Sequence, residues 1–255
     1  MNELMQSIMA RADEAQAANL SRFFKTGPGQ YGEGDRFLGV KVPVVRAVVR
    51  EHWRGTDFAQ LEECLASPYH EVRLAGLLAL VQQFHHAMRH STPRPQSRSA
   101  KATQAVAGGV SPQQCVDFYL AHLPAVNNWD LVDLSCYEIL GTWFLTHDTA
   151  PLYALAREGR TIWEQRIGMV STMMFLRHGR LDDTYAIADI LLHHPHDLIH
   201  KAVGWLLREA GKRDEARLRQ YLSSRCRTMP RTMLRYAIER FAPAERQAWL
   251  RGQAG

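Results

Sequence analysis

Apolar residues in this chain recur three and four positions apart from near the first residue to near the last, and the segments carrying them are joined mostly by short turns. That spacing puts one apolar stripe on each of a succession of helices. The segment "SPYHEVRLAGLLALVQQF" predicts a helix capped by Ser67, with Pro68 at its first position. "SPQQCVDFYLAHL" repeats the device with Ser111 and Pro112, and Gln114 is placed for a capping box. Further helices are predicted over about 129–143, 149–157, 161–178, 182–192, 197–211, 214–224, 230–240 and 243–251. The one short strand candidate is "FLGVKVP".

Helices of this length in antiparallel pairs, stepping about every 30–45 residues, predict an all-α, HEAT-like helical-repeat solenoid. The inference rests on spacing, because identity between repeats is weak. A single domain over 1–255 is expected. The segment 89–110, rich in Ser, Pro, Ala, Gly and basic residues, is expected to be a flexible insertion between two helices.

An apolar content of 46% with 22% charged residues suits a globular chain, and no run of 18 apolar residues is present to span a bilayer. The first twenty residues form a helical pattern without the basic and apolar regions of a signal peptide. Cys64, Cys115, Cys136 and Cys226 stand far apart in apolar helical contexts. Reduced, packed thiols in a cytoplasmic protein are expected, with neither a disulfide framework nor a zinc site. Charge is unevenly distributed: from residue 201 onward there are 13 Lys and Arg against 5 Asp and Glu, while the first 200 residues hold 18 against 21. Such a basic quarter either meets a polyanion or solubilises the surface.

The stretch "KTGPGQYGEGDRFLG" contains G-x-G-x-x-G at Gly27, Gly29 and Gly32. A dinucleotide fold needs a strand before the first glycine and a helix opening on the last. Here a helical segment precedes, a proline interrupts, and no βαβ pattern follows. The glycines are expected to shape a connection between helices.

The sharpest chemical signal is "HKAVGWLLREAGK". On a helical wheel Val203, Leu206, Leu207 and Ala210 share one stripe, and Lys201, Trp205, Arg208 and Lys212 lie opposite. That face either binds a partner or packs Trp205 on a neighbouring repeat. In "NNWDLVDLSCYEILG", Trp129 and Asp133 share a helix face at i and i+4. Asp130 suits the first turn, where the helix dipole favours an acid, whereas aspartate is a poor residue a turn further in. Asp133 is therefore an exposed acid, an arginine's partner, or a functional group. Arg166, in "IWEQRIGMVS", is a buried ion-pair partner or an anion ligand. "HHPHDLIH" spaces His196 and His200 like a zincin helix, but its aspartate shortens the reach of a general base and Pro195 marks an ordinary helix start.

Together, "FFKTGPGQYGEGDRFLGVKVPVVR", "NNWDLVDLSCYEIL", "IWEQRIGMVS" and "LIHKAVGWLLREAGKRD" resemble the AlkD-like family of DNA alkylation repair proteins, over about residues 20–240. The resemblance implies a HEAT-like solenoid whose concave basic groove wraps duplex DNA. It implies a monofunctional glycosylase releasing cationic N3- and N7-alkylpurines, with no metal or cofactor and without flipping the lesion into a pocket. Residue by residue, it makes Asp133 the catalytic aspartate, places Trp129 and Trp205 beside the lesion's deoxyribose, and sets Arg166 against the DNA. Lys201, Arg208 and Lys212 would then be phosphate contacts. The expected protein is a cytoplasmic, nucleoid-associated monomer acting on double-stranded DNA. A non-catalytic DNA-binding protein of the same fold, or a protein-interaction scaffold, would share its fold and differ in turnover or in salt-dependent DNA binding.

Overall fold

The computed structural model describes residues 1–91 and 109–253. Of the expected insertion, 92–108 lies outside the described residues, and 89–91 complete a helix. Contacts divide the chain into two compact units, Met1–Leu131 and Val132–Gly255. Both are helical, and the described residues contain no strand, only an isolated parallel bridge between Arg36 and Tyr69. The fold is all-α and consistent with a helical-repeat solenoid.

The first unit contains α1 (Glu3–Met9), α2 (Glu14–Phe23), α3 (Val42–His52), α4 (Phe58–Leu65), α5 (His70–Ser91) and α6 (Pro112–Ala121). The short α7 (Trp129–Asp133) crosses the boundary between the units. Side chains cap these helices as the sequence requires. Asn2 and Asp13 accept amides at the starts of α1 and α2, and Ser111 with Gln114 closes the expected capping box on α6. The N-terminal pattern thus forms two helices, because Asp13 starts a new one. At 22 residues, α5 is the centre of the unit, with α1, α3, α4 and α6 packed around it. Its buried residues lie all round the helix, from Val72 and Leu74 to Leu80 and Phe84, as a core helix requires.

Helix α5 begins two residues later than the sequence predicts. Ser67 accepts the Tyr69 amide in a local turn instead of capping, so Pro68 precedes the helix. "FLGVKVP" is not a strand. Its backbone amides at Leu38, Gly39 and Val40 all donate to the buried Glu71 carboxylate, at 2.8–3.1 Å. Gly39 has φ +88°, and a Cβ there would collide with the Asp13 carbonyl. A side-chain carboxylate therefore replaces the partner strand as acceptor.

The second unit contains α8 (Ala150–Glu158), α9 (Ile162–Ser171), α10 (Met173–Arg177), α11 (Asp182–Ile190), α12 (Asp197–Gly211), α13 (Glu215–Ser223), α14 (Arg231–Ala237) and α15 (Pro243–Leu250). The predicted helix over 161–178 breaks at Thr172, whose hydroxyl donates back to the Met169 carbonyl at 2.8 Å. The predicted helix over 129–143 becomes α7 and a π-helical turn, Tyr137–Gly141. At the centre is α12, packed against α9 and α14, with Val203, Leu206, Leu207 and Ala210 fully buried as the wheel requires. Gly204 allows the close approach of α14, since a Cβ there would stand 2.5 Å from the Met233 carbonyl. None of the helices is long and apolar enough to cross a membrane, among the described residues.

Candidate functional site

Helix α7 is held at its start by groups far away in sequence. Asn128, fully buried, accepts the Trp129 amide at 2.9 Å and donates its own amide to Asp35 at 3.2 Å. Asp130 is buried, and its two oxygens are occupied by the Leu131 amide and by His70 Nε2, each at 2.9 Å. It is therefore more than an acid favoured by a helix dipole. The Trp129 ring is half-buried, stacked on Phe24 at 5.2 Å between centroids and met edge-on by Phe23 at 6.0 Å. Phe23 is 63% exposed, a large aromatic surface left open beside Trp129.

Asp133 and Arg166 come together as a bidentate pair, with Nε–Oδ1 2.8 Å and Nη2–Oδ2 2.6 Å. The remaining Nη1 donates to the Leu198 carbonyl in the first turn of α12. Arg166 is 5% exposed, so of its two open readings the structure takes the buried ion pair. The Asp133 side chain keeps 16% of its surface accessible. A fork-to-fork pair fixes the carboxylate plane. Close by, burial chiefly pushes the Cys136 thiol far up, and the Asp133 charge adds to it. The thiol of Cys64 is likewise raised to about 11 and that of Cys115 to about 12 by burial, as packed, unreactive sulfur requires.

Trp205 occupies the half-buried face of α12, as the wheel requires, and lines an open cleft of about 450 Å³. Arg177, Glu209, Lys212 and Arg213 surround it above Met173 and Leu176. Each cation named from sequence on this helix has an acidic partner. Lys201 pairs with Asp197 at 2.7 Å, Lys212 with Glu209 at 2.6 Å, and Arg208 with Glu239. Pairs this accessible contribute little, about 0–1 kcal/mol, and can exchange for a phosphate.

The histidines of "HHPHDLIH" form a helix start. His196 caps α12 by accepting the Leu198 amide, His194 pairs with Gln165, and His200 Nε2 meets the His194 carbonyl. Among the described residues no three His, Cys, Asp or Glu side chains are grouped to hold a metal.

Sequence reasoning missed Arg177 and Arg213 beside Trp205, and the whole network of Asp35, His70 and Arg73 behind Trp129. The only local signal for the latter is a histidine and an arginine three apart at the head of an otherwise apolar helix.

Fold and side chains define a helical-repeat protein with an arginine-anchored carboxylate and a cation-rich tryptophan cleft. The family model for the DNA alkylation repair enzyme matches residues 4–241, and the chain belongs to that family. No curated protein matches the sequence. One similar solved structure is titled "Predicted DNA alkylation repair enzyme from Enterococcus faecalis". It has a TM-score of 0.68 at 16% identity, covering 91% of this chain and 97% of that one, a likeness of fold alone.

Proposed function

We propose that this protein is a monofunctional DNA glycosylase that hydrolyses the N-glycosidic bond of cationic N3- or N7-alkylpurines in duplex DNA. The observation that carries the proposal is the Asp133 carboxylate, locked in plane by Arg166 with one edge accessible. An alkylated purine of this kind already bears positive charge and needs no general acid. As the C1′–N bond breaks, its electron pair neutralises the departing base and leaves oxocarbenium character on the sugar. A preorganised carboxylate stabilises that cation and orients the water whose oxygen bonds to C1′, the water's proton passing to solvent. Trp129 and Trp205 each carry an aromatic face that can attract a cationic sugar, about 1–2 kcal/mol each if desolvated. Arg166 acts through Asp133, while Lys201, Arg208 and Lys212 exchange their acidic partners for phosphates and give affinity without sequence preference.

The test is abasic-site formation in a duplex bearing one N7-methylguanine, under single-turnover conditions at neutral pH. Release well above the spontaneous rate, reduced about 10²–10³-fold in Asp133→Asn with duplex affinity kept, is the expected result. Tight duplex binding without release would make the protein a non-catalytic binder on the same fold. A flat salt response would point to a protein partner.

A further inference from the structure

His70 stands at the head of α5 with both ring nitrogens on carboxylates, Nδ1 on Asp35 at 3.0 Å and Nε2 on Asp130 at 2.9 Å. Two ionised acceptors require two N–H donors, so the geometry calls for an imidazolium. The charged groups around it are few. Arg73, from the same helix, pairs with Asp35, and Asn128 donates to Asp35 from the start of α7. Phe24 and Phe37 cover the ring, with centroids at 5.0 and 4.6 Å, and Phe24 carries Trp129 on its other contacts. His70 is thus linked to Trp129 by two routes, through Asp130 in the first turn of α7 and through Phe24 in the aromatic stack.

We propose that His70 is a positioning residue for Trp129: as an imidazolium bridging Asp35 and Asp130, it fixes the first turn of α7 and the stack on which the indole rests. The charged form is the resting form. Burial alone would lower the pKa of His70, but the hydrogen bonds and charges of Asp130 and Asp35 outweigh it and raise it to about 9. Loss of that proton leaves two buried carboxylates with one donor fewer, and Asp130 is then free to let the first turn of α7 shift.

The structural half of this inference stands by itself; its consequence for rate rests on the glycosylase reading. Protein labelled with 5-fluorotryptophan gives a ¹⁹F resonance for Trp129, assigned by its loss in Trp129→Phe. Between pH 7.5 and 10 this resonance is expected to move with a midpoint near 9 in the wild type. In the charge-matched pair His70→Gln/Asp130→Asn, where a neutral amide chain can replace the ionic one, the shift is expected to vanish. Single-turnover release from the N7-methylguanine duplex should fall about tenfold over the same range in the wild type, following the charged fraction. It should be flat in the paired variant, and His70→Gln alone should lose about ten- to a hundredfold at pH 7.5 with unchanged duplex affinity. A Trp129 resonance that does not titrate in the wild type overturns the proposal, as does a midpoint that persists in the paired variant. A titrating resonance with a pH-independent rate overturns the positioning role. Absence of release at every pH, with the resonance titrating, indicts the glycosylase reading instead.

Discussion

Each unit has one dominant ionic centre, and the two are built on opposite plans. In the first unit Asp35, His70, Arg73 and Asp130 are all buried, and each is hydrogen-bonded to at least one of the others. In the second, Arg166 is buried but Asp133 keeps an accessible edge. A closed centre is shielded from solvent and serves to fix geometry. A centre with part of its carboxylate at the surface can be reached from outside. The difference teaches that burial, rather than residue type, separates a carboxylate that positions from one that can act, since Asp130 and Asp133 are three residues apart on one short helix.

That contrast can be broken most sharply in the closed centre. Asp35→Ala removes a partner from His70, Arg73 and Asn128 at once, and breaking such a buried network is expected to destabilise the fold by about 3–5 kcal/mol. Urea unfolding measures it, and a loss under about 1 kcal/mol would show that the centre is not closed. A pH series comes next. Because the folded pKa of His70 is raised, its stabilisation is complete below the ordinary value of 6.5 and is lost as pH climbs through about 9. The gap corresponds to about 3 kcal/mol, seen as the difference in unfolding free energy between wild type and His70→Gln/Asp130→Asn across that window. The smallest effect belongs to the accessible face of α12. Lys212→Ala should change stability by less than about 0.5 kcal/mol but lower the slope of log affinity for duplex DNA against log salt by about 0.9. A slope equal to wild type would remove Lys212 from the DNA surface.

Much of the second unit's face was legible in advance. The phase of α12 followed from Val203, Leu206, Leu207 and Ala210, and it placed Lys201, Trp205, Arg208 and Lys212 outward as found. Helix breaks were not legible, because the Thr172 hydroxyl competes for a backbone carbonyl without disturbing the apolar pattern. Nor was the loop over 37–40, where an apolar alternation that resembles a strand finds its acceptor in Glu71.

By itself, then, the sequence determined the helical class, the Ser111 capping box, the inward and outward faces of α12, and the shared helix of Trp129 and Asp133. Those depend on residues within a turn or two of one another, where spacing translates directly into geometry. Only the tertiary structure decided that Arg166 grips Asp133 and that Asp35, His70 and Asp130 form one buried chain. Those partners are separated by 33, 35 and 60 residues, and helical periodicity carries no information on which distant polar groups must meet. Their pairing is enforced by the penalty of leaving any one of them buried alone.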